Sequence, residues 1–353
     1  MVSSLFYLIF ILISAGGVSA ALVYGVIRLA ILDHPNHRSA HHTPIPKGGG
    51  LGVMLAFVLF YPFLGMPWGE GAVRATWLMA VALFVLCGVS WFDDLYQYSP
   101  IVKFLAQCCA AVLAVMAGQA LGQFFSPLSF ASCSAMFGAG LWLVFCMNAV
   151  NFMDGLNGLI TVCLCGGAVF LAFCAPFLGL AEIGKPALLF TAVLAGFLPF
   201  NFPKACIFMG DVGSQGCGLL AGVAALYIAR YATPPSGCLW GFAVLFPLLF
   251  DVCLTLLCRA WQRKRLTQAH REHCYQRLYQ NGVAAPLITI GEGLLTLWSG
   301  GVALAVAKLP LPIGIVVLGV LLLIPQGLWS LWAFSLLQYN KTRPKKIHPK
   351  SFT

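Results

Sequence analysis

Of 353 residues, 60% are hydrophobic and only 8% are charged, and the mean hydropathy is +0.91. A soluble domain, with roughly a quarter of its residues charged, is excluded. The net charge of +10 is scattered between apolar runs and forms no basic stripe, which weighs against a nucleic acid as partner.

Apolar runs near the spanning length of roughly 20 residues predict an all-α polytopic membrane protein with about eleven transmembrane helices. The first, 4 to 31, has no basic leader and stays apolar past its small residues, so it reads as a retained span and not as a cleaved signal. The others fall at 49–65, 76–92, 101–121, 135–150, 157–178, 186–200, 214–230, 238–258, 286–307 and 311–336. No repeat, low-complexity tract or linker divides them, so residues 1–353 form a single integral membrane domain. The 14 cysteines include no CxxC pair and lie mostly inside these runs; they read as small buried side chains, not as a disulfide framework or a zinc site.

The polar connections carry the information. Between the first two spans, "HRSAHHTPIPKGGGLGV" holds His34, His37, His41 and His42 and three glycines from Gly48, but no GxxxxGK[ST] phosphate loop. Close backbone packing at a helix start is the preferred explanation of the glycines, ahead of phosphate cradling, with a His-metal site as a weaker option. After the third span comes "WFDDLYQYSPIVKF", with Asp93, Asp94 and Lys103; after the fifth, "NFMDGLNGL", with Asn151, Asp154 and Asn157; after the seventh, "NFPKACIFMGDVGSQG", with Asp211. Asp251 lies within the ninth run, eight residues before Arg259, or about 12 Å along a helix, and reads as structural or supporting.

The loop that follows, "RAWQRKRLTQAHREHCYQRLYQNG", is dense in Arg, His and aromatics. On a helix His270 and His273 would share a face, with Arg277 one turn beyond. That pattern suits a clamp for phosphate and a nucleobase. A polybasic segment on the lipid surface explains the cations but not the paired His.

Lys and Arg concentrate in the connections at about 32–48, 92–103, 201–213 and 259–285 and in the C-terminal tail, the connection at 150–158 falling on the same side, against only Arg74, Lys185, Arg230 and Lys308 on the other. The positive-inside rule therefore makes the basic set cytoplasmic, the N-terminus periplasmic and the C-terminus cytoplasmic. Asp93, Asp94, Asp154 and Asp211 fall on that same face. Asp154 and Asp211 could simply cap helices, but capping explains one carboxylate of the Asp93 and Asp94 pair and not two adjacent ones, whose repulsion wants a cation or a proton. Converging carboxylates suit a hard cation such as Mg²⁺, held jointly with substrate phosphate.

In this order, "FDD", "NFMDGLNGL", "IFMGDVGS" and "AHREHCYQRL" resemble the polyprenyl-phosphate N-acetylhexosamine-1-phosphate transferases, the MraY/WecA-like glycosyltransferase family 4, over residues 38 to 285. The resemblance implies a multi-pass enzyme of the bacterial inner membrane, acting at its cytoplasmic face. Its reaction is Mg²⁺-dependent, with Mn²⁺ as an acceptable substitute: polyprenyl phosphate attacks a UDP-N-acetylhexosamine and UMP leaves. It assigns Asp93, Asp94 and Asp154 to catalysis and Asn151 and Asp211 to the metal. Lys103, Asn157, His270, His273 and Arg277 fall to substrate.

Many members carry a second Asp where Asn157 stands, in the pattern NxxDGxDG. Asn at that position, with "HREHCYQRL", is similar to the WbpL-like subgroup that initiates O-antigen, whose sugars include N-acetylfucosamine and N-acetylquinovosamine. The expected partners are therefore the nucleotide sugar, the polyprenyl phosphate and the lipid bilayer, with homodimerisation left open. The rival class is an ion- or proton-coupled transporter, which predicts acids near the membrane midplane and for which Asp251 is the sole candidate. A non-catalytic lipid-binding scaffold would leave the acid cluster unexplained.

Overall fold

The computed structural model describes residues 2–29, 32–33, 44–64, 70–96, 98–120, 130–266, 268 and 270–342. His34, His37, His41 and His42 lie outside the described residues. The helices are α1 (Val2–Leu29), α2 (Gly50–Phe60), α3 (Glu70–Tyr96), α4 (Pro100–Ala120), α5 (Phe130–Met153), α6 (Leu159–Cys174), α7 (Gly184–Asn201), α8 (Gly210–Tyr231), α9 (Trp240–Trp261), α10 (Cys274–Gln280), α11 (Ala285–Val306) and α12 (Leu311–Thr342). A two-residue antiparallel ribbon, β1 (Leu32–Asp33) and β2 (Ile45–Pro46), joins α1 to α2.

Ten helices among the described residues are long and apolar enough to cross a membrane, one fewer than the apolar runs suggest. The difference is the second run. It forms α2 and a 3₁₀ turn, Tyr61–Leu64, together only Gly50–Leu64. At 1.5 Å per residue that segment reaches roughly 22 Å, short of a hydrocarbon layer about 30 Å thick. It is packed among α1, α7 and α8, and a Cβ on Gly52 would stand 2.9 Å from Val23 of α1. A helix lined by protein in this way has no need to match the lipid.

The helices also run on past their apolar stretches. Asp93 and Asp94 belong to the last turns of α3, Asn151 to the end of α5, and Asp211 to the first turn of α8. Apolar runs mark the part of a helix that faces lipid, whereas the helix itself continues as long as its backbone groups find partners. These four residues, expected on loops, thus sit on helix ends.

Between helices in lipid, close packing replaces the hydrophobic effect as the driving force, and small residues permit it. The glycines of "GDVGSQGCG" do this along α8. A Cβ on Gly218 would lie 2.7 Å from the Cys146 carbonyl oxygen and 2.8 Å from Cα of Met147, so α5 rests directly on α8. The two helices run antiparallel, and this contact brings the end of α5 beside the start of α8. In the same way α3 and α4 form a hairpin across a short turn, which places Lys103 opposite Asp93. Gly50 and Gly213 meet backbone to backbone: a Cβ on Gly50 would lie 2.1 Å from Cα of Gly213. The glycines after Pro46 therefore include one that serves close helix packing, as the sequence suggested.

Candidate active site

Lys103 is the centre of the cluster. Its Nζ lies 2.5 Å from Asp93 Oδ2 and 3.0 Å from Asp211 Oδ2, tying α3, α4 and α8 together. Asn151 completes the arrangement from α5: its Nδ2 donates to Asp211 Oδ1 and to Ser214 Oγ, each at 2.9 Å, while Ser214 Oγ donates to the Gly210 carbonyl. Asp94 pairs with Lys47 at 2.9 Å and lies over Gly210, where a Cβ would approach its Oδ2 to 3.4 Å. Gly210 has φ +72°, a left-handed conformation that suits glycine and turns the chain into α8 just before Asp211. The segment from Pro46 to Gly50 is stitched to this turn, with Phe208 N donating to Pro46 O, Gly49 N to Phe208 O and Gly50 N to Met209 O.

Asp154 lies in the turn between α5 and α6, half-buried. Desolvation, with repulsion from Asp211 as the second cause, raises its pKa to about 7. The helix-capping alternative for these acids is not what the structure displays. Neither α6 nor α8 has a side-chain cap, and the residue before α6 is Gly158. Asp211 spends its oxygens on Lys103 and Asn151 instead.

Charge decides what such a site can hold. Four carboxylates, Asp93, Asp94, Asp154 and Asp211, gather around two ammonium groups, Lys47 and Lys103. If all were ionised, the cluster would carry two uncompensated negative charges, a poor host for phosphate without a further cation. Asp93 Oδ1 and Asp94 Oδ2 are also buried without a hydrogen-bond partner among the described residues. The donors are hard oxygens, which fits Mg²⁺. Among the described residues no group of three or more His, Cys, Asp or Glu is arranged to hold a metal by itself.

One turn deeper lies a layer that sequence reading did not single out. Gln107 is four residues after Lys103, Asn148 three before Asn151 and Gln215 four after Asp211, so each sits beneath a member of the cluster. Gln107 Nε2 donates to Asn148 Oδ1 and Gln215 Oε1 at 3.3 Å, and Asn148 Nδ2 returns a bond to Gln107 Oε1 at 2.8 Å. Helical spacing from the charged residues was the available signal. Buried Asn201 acts similarly for the loops, accepting from Gly158 N and donating to the Ile207 carbonyl. Lys47 was visible only as one of many loop cations, and nothing in the sequence pairs it with Asp94.

The segment after α9 differs from expectation. Residues 270–273 are not helical, so His270, His273 and Arg277 do not form a helical stripe; α10 begins only at Cys274. The two imidazoles still lie 5.0 Å apart. His273 is 3% exposed and its Nδ1 contacts Asp251 Oδ1 at 3.1 Å, which places it behind the surface. Arg277 donates through Nε to the Glu272 carbonyl and lies 4.6 Å above the Phe334 ring. His270 faces a cavity of about 320 Å³ lined also by Arg259, Lys264, Arg265, Gln268, Arg271 and Glu272. Burial, with His273 and Arg259 as further causes, lowers its pKa to about 4, so the ring is neutral near pH 7. Glu272 pairs with Arg259 at 3.1 Å and Lys264 at 2.8 Å.

Asn157 turns away from the acids: its Nδ2 approaches the Pro203 carbonyl at 3.3 Å and its own carbonyl accepts from Thr289. The structure thus brings Asp93, Lys103, Asn151 and Asp211 into one contact network with Asp94 and Asp154 beside it, and leaves Asn157, His270, His273 and Arg277 with partners outside it. Asp251 is not the only acid within a span. Glu292 of α11 is fully buried, with neither carboxylate oxygen bonded among the described residues.

Comparison with known proteins places this arrangement. The pattern for "Glycosyl transferase family 4" matches residues 76–229, which hold Asp93 through Asp211. Decaprenyl-phosphate N-acetylglucosaminephosphotransferase of Mycobacterium tuberculosis is 30% identical over 315 residues, covering 80% of this chain and 76% of that one. A probable undecaprenyl-phosphate N-acetylglucosaminyl 1-phosphate transferase of Bacillus subtilis is 28% identical over 272 residues, 73% and 72% of the two chains. Phospho-N-acetylmuramoyl-pentapeptide-transferase of Staphylococcus saprophyticus is 37% identical over 129 residues, 33% of this chain and 39% of that one.

Proposed function

The chain belongs to glycosyl transferase family 4, and from that premise we propose that it transfers an N-acetylhexosamine-1-phosphate from a UDP-sugar to polyprenyl phosphate, releasing UMP. The observation that carries the reading is the network of Lys103 with Asp93 and Asp211, held by Asn151 and flanked by Asp94 and Asp154. Phosphoryl transfer asks a protein mainly for positioning and charge neutralisation, and cations set among fixed carboxylates at the ends of packed helices supply both.

Asp211 and Asn151 would hold Mg²⁺, whose charge, when it is bound, offsets that of the phosphate oxygens. Lys103 and Lys47 add two ammonium groups that can turn from carboxylate to phosphate as substrate enters. An oxygen of the lipid phosphate attacks the phosphorus attached to the sugar. That P–O bond forms as the one to UMP breaks, and UMP departs with the bonding electrons. Any proton on the attacking phosphate passes to a nearby carboxylate, for which Asp93, Asp94 and Asp154 are the candidates. The basic cavity around His270 and Arg271 receives the uridine diphosphate portion, with His270 acting as a neutral hydrogen-bonding ring.

The wider setting is part of the same proposal: a bacterial inner membrane, a cytoplasmic site, undecaprenyl phosphate as acceptor and a lipid-linked envelope glycan such as O-antigen as the eventual product. The test is UMP release by the purified protein given undecaprenyl phosphate, Mg²⁺ and a panel of UDP-N-acetylhexosamines that includes the glucosamine, fucosamine and quinovosamine donors. Release from at least one donor is expected, with Asp211→Ala at least about a thousandfold slower. Failure with every donor would overturn the transferase reading, and near-normal rates in Asp211→Ala would overturn the metal assignment. An ion-coupled transporter would show neither UMP release nor dependence on a lipid phosphate.

A further inference from the structure

Asp251 is fully buried within a membrane span, yet its carboxylate has four hydrogen-bonding contacts. Oδ1 meets His273 Nδ1 at 3.1 Å, the Cys274 N–H at 3.0 Å and the Thr255 hydroxyl at 3.1 Å, and Oδ2 accepts from the Tyr275 N–H at 3.2 Å. Two of these donors are the first backbone N–H groups of α10, which lack intrahelical partners by the nature of a helix start. An acid of α9 therefore fastens the first turn of α10.

Tyr275 continues the connection. It is 0% exposed, its ring stacks on His273 at 5.8 Å and 19°, and its hydroxyl donates to the Phe152 carbonyl at 2.9 Å. Phe152 stands in the last turn of α5, between Asn151 and Asp154, where carbonyls run out of helical donors. The hydroxyl lies so close to the following turn that a Cβ on Gly155 would come within 2.2 Å of it. One phenol thus occupies the only space a side chain at 155 could take and binds the backbone just before Asp154.

We propose that Tyr275 is a positioning residue whose hydroxyl fixes the Asn151–Asp154 turn, and that Asp251 holds Tyr275 in place through α10. On this view the Tyr in "HCYQRL" and the Gly in "MDGL" form one device: the phenol sets where Asp154 stands, and the missing side chain makes room for it. The consequence for catalysis rests on the transferase reading above; the effect on the turn itself does not.

Tyr275→Phe keeps the ring and its packing and removes only the hydroxyl, and Gly155→Ala keeps the hydroxyl but crowds it. Each variant is compared with wild type by hydrogen–deuterium exchange over residues 150–158, by thermal unfolding, and by kcat and donor KM from UMP release. Faster exchange in that segment is expected in both variants. A kcat loss of roughly tenfold should accompany it, with donor KM within about twofold and an unchanged unfolding temperature in Tyr275→Phe, as for a displaced catalytic group. Unchanged exchange in Tyr275→Phe overturns the inference whatever the activity, as does a loss confined to donor KM. If wild type releases no UMP, the transferase reading falls, and the exchange experiment still decides whether Tyr275 holds the turn.

Discussion

Asp251 and the Asp93–Asp94 pair are buried acids that the fold treats in opposite ways. Asp251 meets four protein partners, so its oxygens are taken up by the fold. Asp93 and Asp94 each keep one buried oxygen unbonded among the described residues, and their other oxygens face the ammonium groups of Lys103 and Lys47, which are partly exposed. A buried acid whose bonds are complete is a structural part; one whose bonds are incomplete is poised for something that arrives later.

If this contrast is right, mutation should separate the two regions by what is lost. After Asp211→Ala, the largest effect is expected from Lys103→Met, which removes the shared cation: kcat/KM for UMP release should fall about a hundredfold while the unfolding temperature stays near that of wild type. An equal loss of thermal stability would erase the distinction. Asp251→Ala leaves two buried N–H groups and an imidazole without their acceptor. It should destabilise the protein by about 2–4 kcal/mol, measured by thermal or denaturant unfolding in detergent. Wild-type stability in that variant would show that the α10 anchor carries no weight.

The smallest effect concerns pH. With its pKa near 4, His270 is already neutral at pH 6 and becomes charged only as pH falls through about 4. His270→Gln should therefore leave the shape of the rate profile between pH 6 and 8 unchanged, even if the overall rate drops. A limb in that range that disappears with His270 would mean that the ring titrates during turnover.

Much of this architecture was legible because a bilayer is a severe solvent. Apolar runs long enough to span it have few alternatives to helix, and ten of them were found as such. The second run failed the rule because it is too short to span, with one face packed on α1, α7 and α8. The acids were legible by the same logic, since charge is sparse and polar residues at span ends stand out. Asp251, with Arg259 eight residues on, could be read as structural from its place in a span.

What stayed hidden were pairings across helices. Gln107, Asn148 and Gln215 each look ordinary in "KFLAQCC", "CMNAVN" and "GSQGC", and only the packing of α4 and α5 with each other and with α8 makes them one layer. The stripe expected of His270, His273 and Arg277 failed because α10 starts only at Cys274, whose N–H is held by Asp251, and residues 270–273 are not helical.

The cluster is assembled from helix ends far apart in the chain: Lys47, then Asp93, Asp94 and Lys103, then Asn151 and Asp154, and Asp211 only after α7. During translation the first three spans therefore emerge with acids that have no complete set of neighbours. The acid and lysine cluster closes when α8 is added, and the Tyr275 hydroxyl on the Phe152 carbonyl follows some sixty residues later. A stalled or truncated chain would reach the bilayer without a finished site. Competence for transfer is in this way deferred until nearly four-fifths of the polypeptide has been made.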